Sequence, residues 1–219
     1  KMKKILLAAA IVSGFALSGF SQGLIFQSSK AAGVYFTPQS GGYALGNNTL
    51  NVAFLWGSAG AASAVGVGLD AHYSGAALDP NVWTTILNDP NFQVAKNGAN
   101  EVVVPVNNSG ITQAGWNYNG GAPFIPVGMV AGNTYSVFAV AFSSTYSTLE
   151  EAAAAGSLVG WGSVIQYSTS ASAQTAPPTF NGAGQTAFGV ATLAPVPEPT
   201  TMALAALGGA SLLLFRRRK

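Results

Sequence analysis

The stretch Thr200–Phe215 carries no charge, and Arg216, Arg217, Arg218 and Lys219 follow it directly. As a helix it would be about 24 Å long, a little short of a hydrocarbon core of about 30 Å. Long basic side chains make up the difference by reaching toward the headgroups. A run of this kind belongs in a bilayer, so the globular part of the chain must end before it. The four cations stay on the cytoplasmic side, which puts the preceding residues outside. Pro197 and Pro199 bracket Glu198 just ahead of the run. Each proline fixes its own backbone and pushes the residue before it toward extended geometry. The helix therefore should not reach back through Pro-Glu-Pro, and Glu198 is left open to a membrane-embedded enzyme.

The N-terminus has a second apolar run. Lys1, Lys3 and Lys4 precede Ile5–Phe20, and the small residues Gly19 and Ser21 lie at minus three and minus one from a cut before Gln22. This is the layout of a secretory signal peptide, removed by signal peptidase. The expected division is a signal peptide over 1–21, one folded domain over 22–194 and a tail over 195–219. Both termini then touch the membrane only in transit.

The ordered set Pro197-Glu198-Pro199, apolar run and basic terminus resembles the PEP-CTERM sorting signal, which exosortase recognises in Gram-negative bacteria. The resemblance implies a cut near Pro-Glu-Pro and release or attachment of the remainder at the cell surface. The body is similar to uncharacterised domains that precede such tails in soil and aquatic bacteria. That similarity lies in Ala53–Gly57, in Gly132–Phe142, and in Tyr146 with Glu150-Glu151-Ala152, Gly156 and Gly160–Ser163. It brings no functional residues with it.

Setting both ends aside changes the charge. The body keeps Lys30 and Lys96 against Asp70, Asp79, Asp89, Glu101, Glu150 and Glu151, a formal −4. It has no Arg, and so lacks the basic footprint that phosphate backbones require; nucleic acid is not an expected partner. There is no cysteine, so packing alone must hold the body together. Its length is ample for a single core.

The body reads as strand. Leu50, Val52, Phe54 and Trp56 alternate with Asn51, Ala53 and Leu55. Thr134–Phe142 is apolar on both faces, the pattern of a central strand covered on both sides. Leu24–Gln27, Val34–Thr37, Val102–Val106, Leu158–Tyr167 and Thr186–Leu193 complete the set, separated by Gly- and Asn-rich turns. One short helix is expected near 148–155. Ser147 or Thr148 caps it, Glu150 and Glu151 favour its first turn and Gly156 ends it. Asp79–Leu87 leans to a second short helix that stops before Pro90. From about Thr169 to Gly184 a long loop is expected. The fold class is all-β, an antiparallel β-sandwich in one domain, with a closed barrel as the alternative. The N-terminal signal helix and the C-terminal transmembrane helix stand outside it.

Catalytic chemistry finds little footing. His72 is the only histidine. Asp70-Ala-His72 could share a strand face, but a metal centre needs three or four ligands, and neither a metal nor a cofactor is expected. A carboxylate pair of the glycosidase kind is conceivable among six acids. Glu150 and Glu151, neighbours in sequence, point about 100° apart on a helix. The Trp116-Asn117-Tyr118-Asn119 stretch alternates aromatics and amides, the chemistry of sugar recognition. Two functions follow. One is a non-enzymatic surface or matrix protein, structural or adhesive; the other is a carbohydrate-binding module for exopolysaccharide through Trp116, Asn117, Tyr118 and Asn119.

Overall fold

The computed structural model describes residues 23–28, 33–36, 49–73, 75–106, 115–171 and 175–195. The expected signal helix and transmembrane helix lie outside these residues. Among the described residues no helix is long and apolar enough to cross a membrane.

Two long strands form the spine. They are β3 (Leu50–Ser58) and β9 (Thr134–Ser143), paired antiparallel from Leu50↔Ser143 to Ser58↔Tyr135. Short strands extend each side. β10 (Val159–Trp161) and β11 (Ile165–Ser168) follow one another along the free edge of β9. β4 (Gln93–Val94) and β7 (Val103–Pro105) share the free edge of β3. Between β4 and β7, β5 (Lys96–Asn97) and β6 (Asn100–Glu101) make a hairpin around Gly98, whose φ of +63° suits glycine. Among the described residues the sheet is open, because its two outer edges do not pair with each other. The barrel alternative is thereby set aside.

Both faces of the spine are covered. Leu50, Val52, Phe54 and Trp56 enter one cluster, while Ala53 and Leu55 enter another. This split follows from the period-two geometry of a strand. On the first face lie two small pairs. β1 (Gln27–Ser28) runs antiparallel to β8 (Trp116–Asn117), and β2 (Val34–Phe36) runs parallel to β12 (Phe188–Val190). The parallel pair corrects the all-antiparallel expectation. Alternation tells which face a residue takes but not which way its neighbour runs. An aromatic nest fills the space beneath: Phe26 lies 4.4 Å from Phe54, 5.9 Å from Trp116 and 5.1 Å from Phe180 between ring centroids.

On the second face lie two helices, α1 (Val82–Leu87) and α2 (Leu149–Ala154), which contact each other. They bury Trp83, Ile86, Leu149 and Ala152 against Phe138, Val140 and Phe142. In α2 the Thr148 side chain accepts from Glu151 N at 3.1 Å and the Glu151 carboxylate accepts from Ser147 N at 2.8 Å, a reciprocal cap. Gly156 closes it at φ +60°. α1 starts later than Asp79-Pro80. Asp79 Oδ1 instead accepts from Asn81 N at 2.8 Å, forming a turn ahead of the helix.

Two contacts seal the sheet to its outer layer. Gly160 on β10 faces the Gly189 carbonyl of β12, and a Cβ at 160 would run into that backbone. Tyr167, buried in the core, accepts from Ile25 N at 3.0 Å and donates to the Pro178 carbonyl. Burial pushes its hydroxyl up to about 12. One side chain thus ties the first described segment and the 169–184 loop to β11.

Gly160→Ala should lower unfolding stability by about 2–4 kcal/mol, since the obstruction is backbone and cannot rotate aside. Tyr167→Phe should cost about 1–3 kcal/mol by leaving an N–H and a carbonyl unpaired. Denaturant titration of the purified protein checks both.

Candidate functional site

The described part of the molecule offers three places where chemistry could sit. The first is a carboxyl pair that sequence spacing does not reveal. Hairpin β5–β6 pairs Lys96 with Glu101 and carries Glu101 to the start of α2. There Glu101 Oε2 accepts from Leu149 N at 3.0 Å, and its side chain hydrogen-bonds to that of Glu150. Half-burial, followed by the Glu150 contact, pushes the Glu101 carboxyl up to about 7, against the Leu149 N–H and Lys96, which pull it down. The hydrogen bond from Glu101 is the main cause holding Glu150 below the usual carboxylate range, and Lys96 adds to it. Below about pH 7, Glu101 is therefore the proton donor and Glu150 the charged acceptor. Glu150, without Glu101, lines a cleft of about 360 Å³ together with Phe92, Val94, Lys96 and Val127.

The two neighbours on α2 have separate roles, as their directions on the helix imply. Glu150's carboxyl partner is Glu101, while Glu151 serves the helix cap. Glycosidase carboxyls stand about 5–9.5 Å apart with substrate or water between them. Two carboxyls joined by a hydrogen bond leave no such gap.

The second place is around His72. A turn, not a strand, holds it: Asp70 Oδ1 accepts from the His72 backbone N at 2.7 Å. The exposed ring meets Tyr35 edge-on at 5.1 Å. Ser163 shares the adjoining cleft of about 330 Å³. Its Oγ accepts from Gly68 N at 3.0 Å, which makes it a loop clasp. Among the described residues no three of His, Asp or Glu gather as metal ligands.

The third is the aromatic stretch. Trp116 is only 1 % exposed, packed against Phe26, Phe180 and Phe188. A ring with both faces in the core offers none to a sugar, so the expected stacking role for Trp116 is corrected. Its indole N–H, like that of Trp56, finds no hydrogen-bond partner among the described residues. Tyr118 is half-buried against Phe26 and Phe124, and its hydroxyl accepts from Asn97 Nδ2 at 3.2 Å. Asn117 and Asn119 are exposed, and Asn119 takes a left-handed φ of 53° in the turn Tyr118–Gly121. Trp83 and Trp161 are buried too. Their indoles donate to the Ser157 and Val67 carbonyls at 2.8 and 2.9 Å. The residues Pro197, Glu198, Pro199, Arg216, Arg217, Arg218 and Lys219 lie outside the described residues.

The carboxyl pair has a consequence for pH. A Glu101 carboxyl raised from 4.5 to about 7 on folding favours the folded state at low pH. That contribution is lost as pH rises through about 7. Glu150, lowered on folding, acts the opposite way and loses its contribution on acidification. The thermal midpoint should therefore fall as pH is raised from about 5 to about 8, following the Glu101 titration. Glu101→Gln, which stays neutral and can still donate to Glu150, should flatten that fall. Thermal scans across this range check it, and an equal slope in both proteins would refute it.

Residues 195–219 match the PEP-CTERM protein-sorting motif. No curated protein and no solved structure matches the chain. The matched stretch contains the Pro-Glu-Pro element, the apolar run and the four terminal cations. It begins one residue after Ala194, whose N–H still donates into the fold, to the Leu78 carbonyl at 2.8 Å. The chain thus carries a PEP-CTERM sorting domain at its C-terminus, the mark of export and of handling by an exosortase.

Proposed function

We propose that this is an exported protein of a Gram-negative bacterium whose body works, without catalysis, at the cell surface or in the extracellular matrix. Signal peptidase removes residues 1–21 after the chain enters the inner membrane. Exosortase removes the tail near Pro197-Glu198-Pro199, while Arg216, Arg217, Arg218 and Lys219 hold the tail's end on the cytoplasmic side. The remaining body, roughly residues 22–194, is one domain. It is a β-sandwich in which the spine sheet and the smaller β layer share an aromatic core, with two short helices closing the other face.

The observation that carries this reading is the motif at 195–219, which starts directly after the last described backbone hydrogen bond, that of Ala194. The surface supports a contact role. Ile125, Val127 and Val130 are exposed by 40, 55 and 59 % within one short segment. Aliphatic side chains set out in water in this way favour contact with a neighbour. The body's charge of −4 is modest, and much of its polar sequence is Asn, Ser and Thr, which hydrogen-bond without strong repulsion.

The intact mass of the protein recovered from cells tests the reading. The expected species lacks both the leader and Thr200–Lys219. A mass that retains Leu204–Phe215 would make the C-terminus a permanent anchor.

A further inference from the structure

The described part of the chain ends in a backbone clip. Leu78 bridges to Leu193 in parallel. Its N–H donates to the Thr192 carbonyl at 2.9 Å, and its carbonyl accepts from Ala194 N at 2.8 Å. Just before it, Ala191 exchanges both backbone hydrogen bonds with Val159, at 3.0 and 2.9 Å. Strand β12 runs up to this point. The chain from Phe188 to Ala194 is thus tied into the fold, and the sorting motif starts at the next residue.

Only Pro195 and Val196 separate the clip from Pro197. At most about 3.5 Å per residue, Glu198 lies within roughly 14 Å of Ala194. An enzyme that cuts a peptide takes hold of an extended backbone through its N–H and carbonyl groups. The clip already uses those groups at Thr192 and Ala194. It sits at the margin of the molecule, where Thr192 is exposed and Leu78 and Leu193 are half-buried. Leu78 and Leu193 pack against the core from one side, and on the other Leu78 lines an open cleft of about 270 Å³ with Val82, Val65 and Trp161. Pairings at such margins open locally without unfolding the core.

We propose that the Leu78 clip sets the rate of tail removal: it holds Thr192–Ala194 in the fold, and exosortase cuts near Pro-Glu-Pro only after the clip has opened. Leu78 and Ala194 are then positioning residues for the processing step. This inference rests on the sorting reading above.

The test follows tail loss by pulse-chase of the full chain in a cell that carries an exosortase. Two variants free the segment by different means. An insertion of eight Gly and Ser residues between Ala194 and Pro195 lengthens the reach and leaves the clip intact. Ala194→Pro removes the N–H that the Leu78 carbonyl accepts, whereas Ala194→Gly keeps it. The longer reach of the insertion and the loss of one marginal backbone bond in Ala194→Pro should each speed tail removal roughly tenfold. Ala194→Gly should follow the parent. A parent and insertion variant cut at one rate would overturn this inference alone, as would Ala194→Pro behaving like Ala194→Gly. A parent that keeps its tail would overturn the sorting reading as well.

Discussion

The pairing of β3 with β9 is the contact on which the rest of the molecule depends. It is the longest strand pair described, in register from Leu50↔Ser143 to Ser58↔Tyr135. Each strand supplies apolar side chains to both faces, so neither face can be left to water. Phe54 and Trp56 demand the aromatic layer above. Leu55, Phe138 and Phe142 demand the two helices below. The helices are too short to be stable alone. They persist because Trp83, Ile86, Leu149 and Ala152 complete that lower face.

Much of this was legible in the sequence where the signal is local. The alternation of Leu50–Trp56 gave the two faces of β3 correctly, since a strand's period is fixed by its backbone. The α2 helix was legible because its cap, acidic first turn and closing glycine lie within ten residues of one another. What escaped is set by contacts between distant segments. The two-residue strands β4, β5 and β6 are too short to carry a period. The parallel course of β2 beside β12 depends on how the chain returns, which no residue type encodes. Trp116 sits among Gly and Asn, a loop-like setting, yet Phe26, Phe180 and Phe188 enclose it.

The candidate sites divide the same way. The sorting motif is linear, and its order of proline pair, apolar run and basic end is readable by eye. The Glu101–Glu150 pair joins residues far apart in the chain, brought together by a hairpin and a helix start. Sequence reading placed Glu150 and Glu151 correctly in the first turn of the helix, but no local signal links Glu150 to Glu101.

The pairing of β2 with β12 joins the two ends of the body, with Val34 opposite Phe188. Tyr167 adds a second such link by accepting from Ile25 N. A chain that crosses a membrane N-terminus first therefore cannot finish this architecture partway through translocation. The early segments must wait for nearly the whole body to emerge. The sorting motif starts directly after Ala194, so completion of the body and emergence of its address label become almost one event in time.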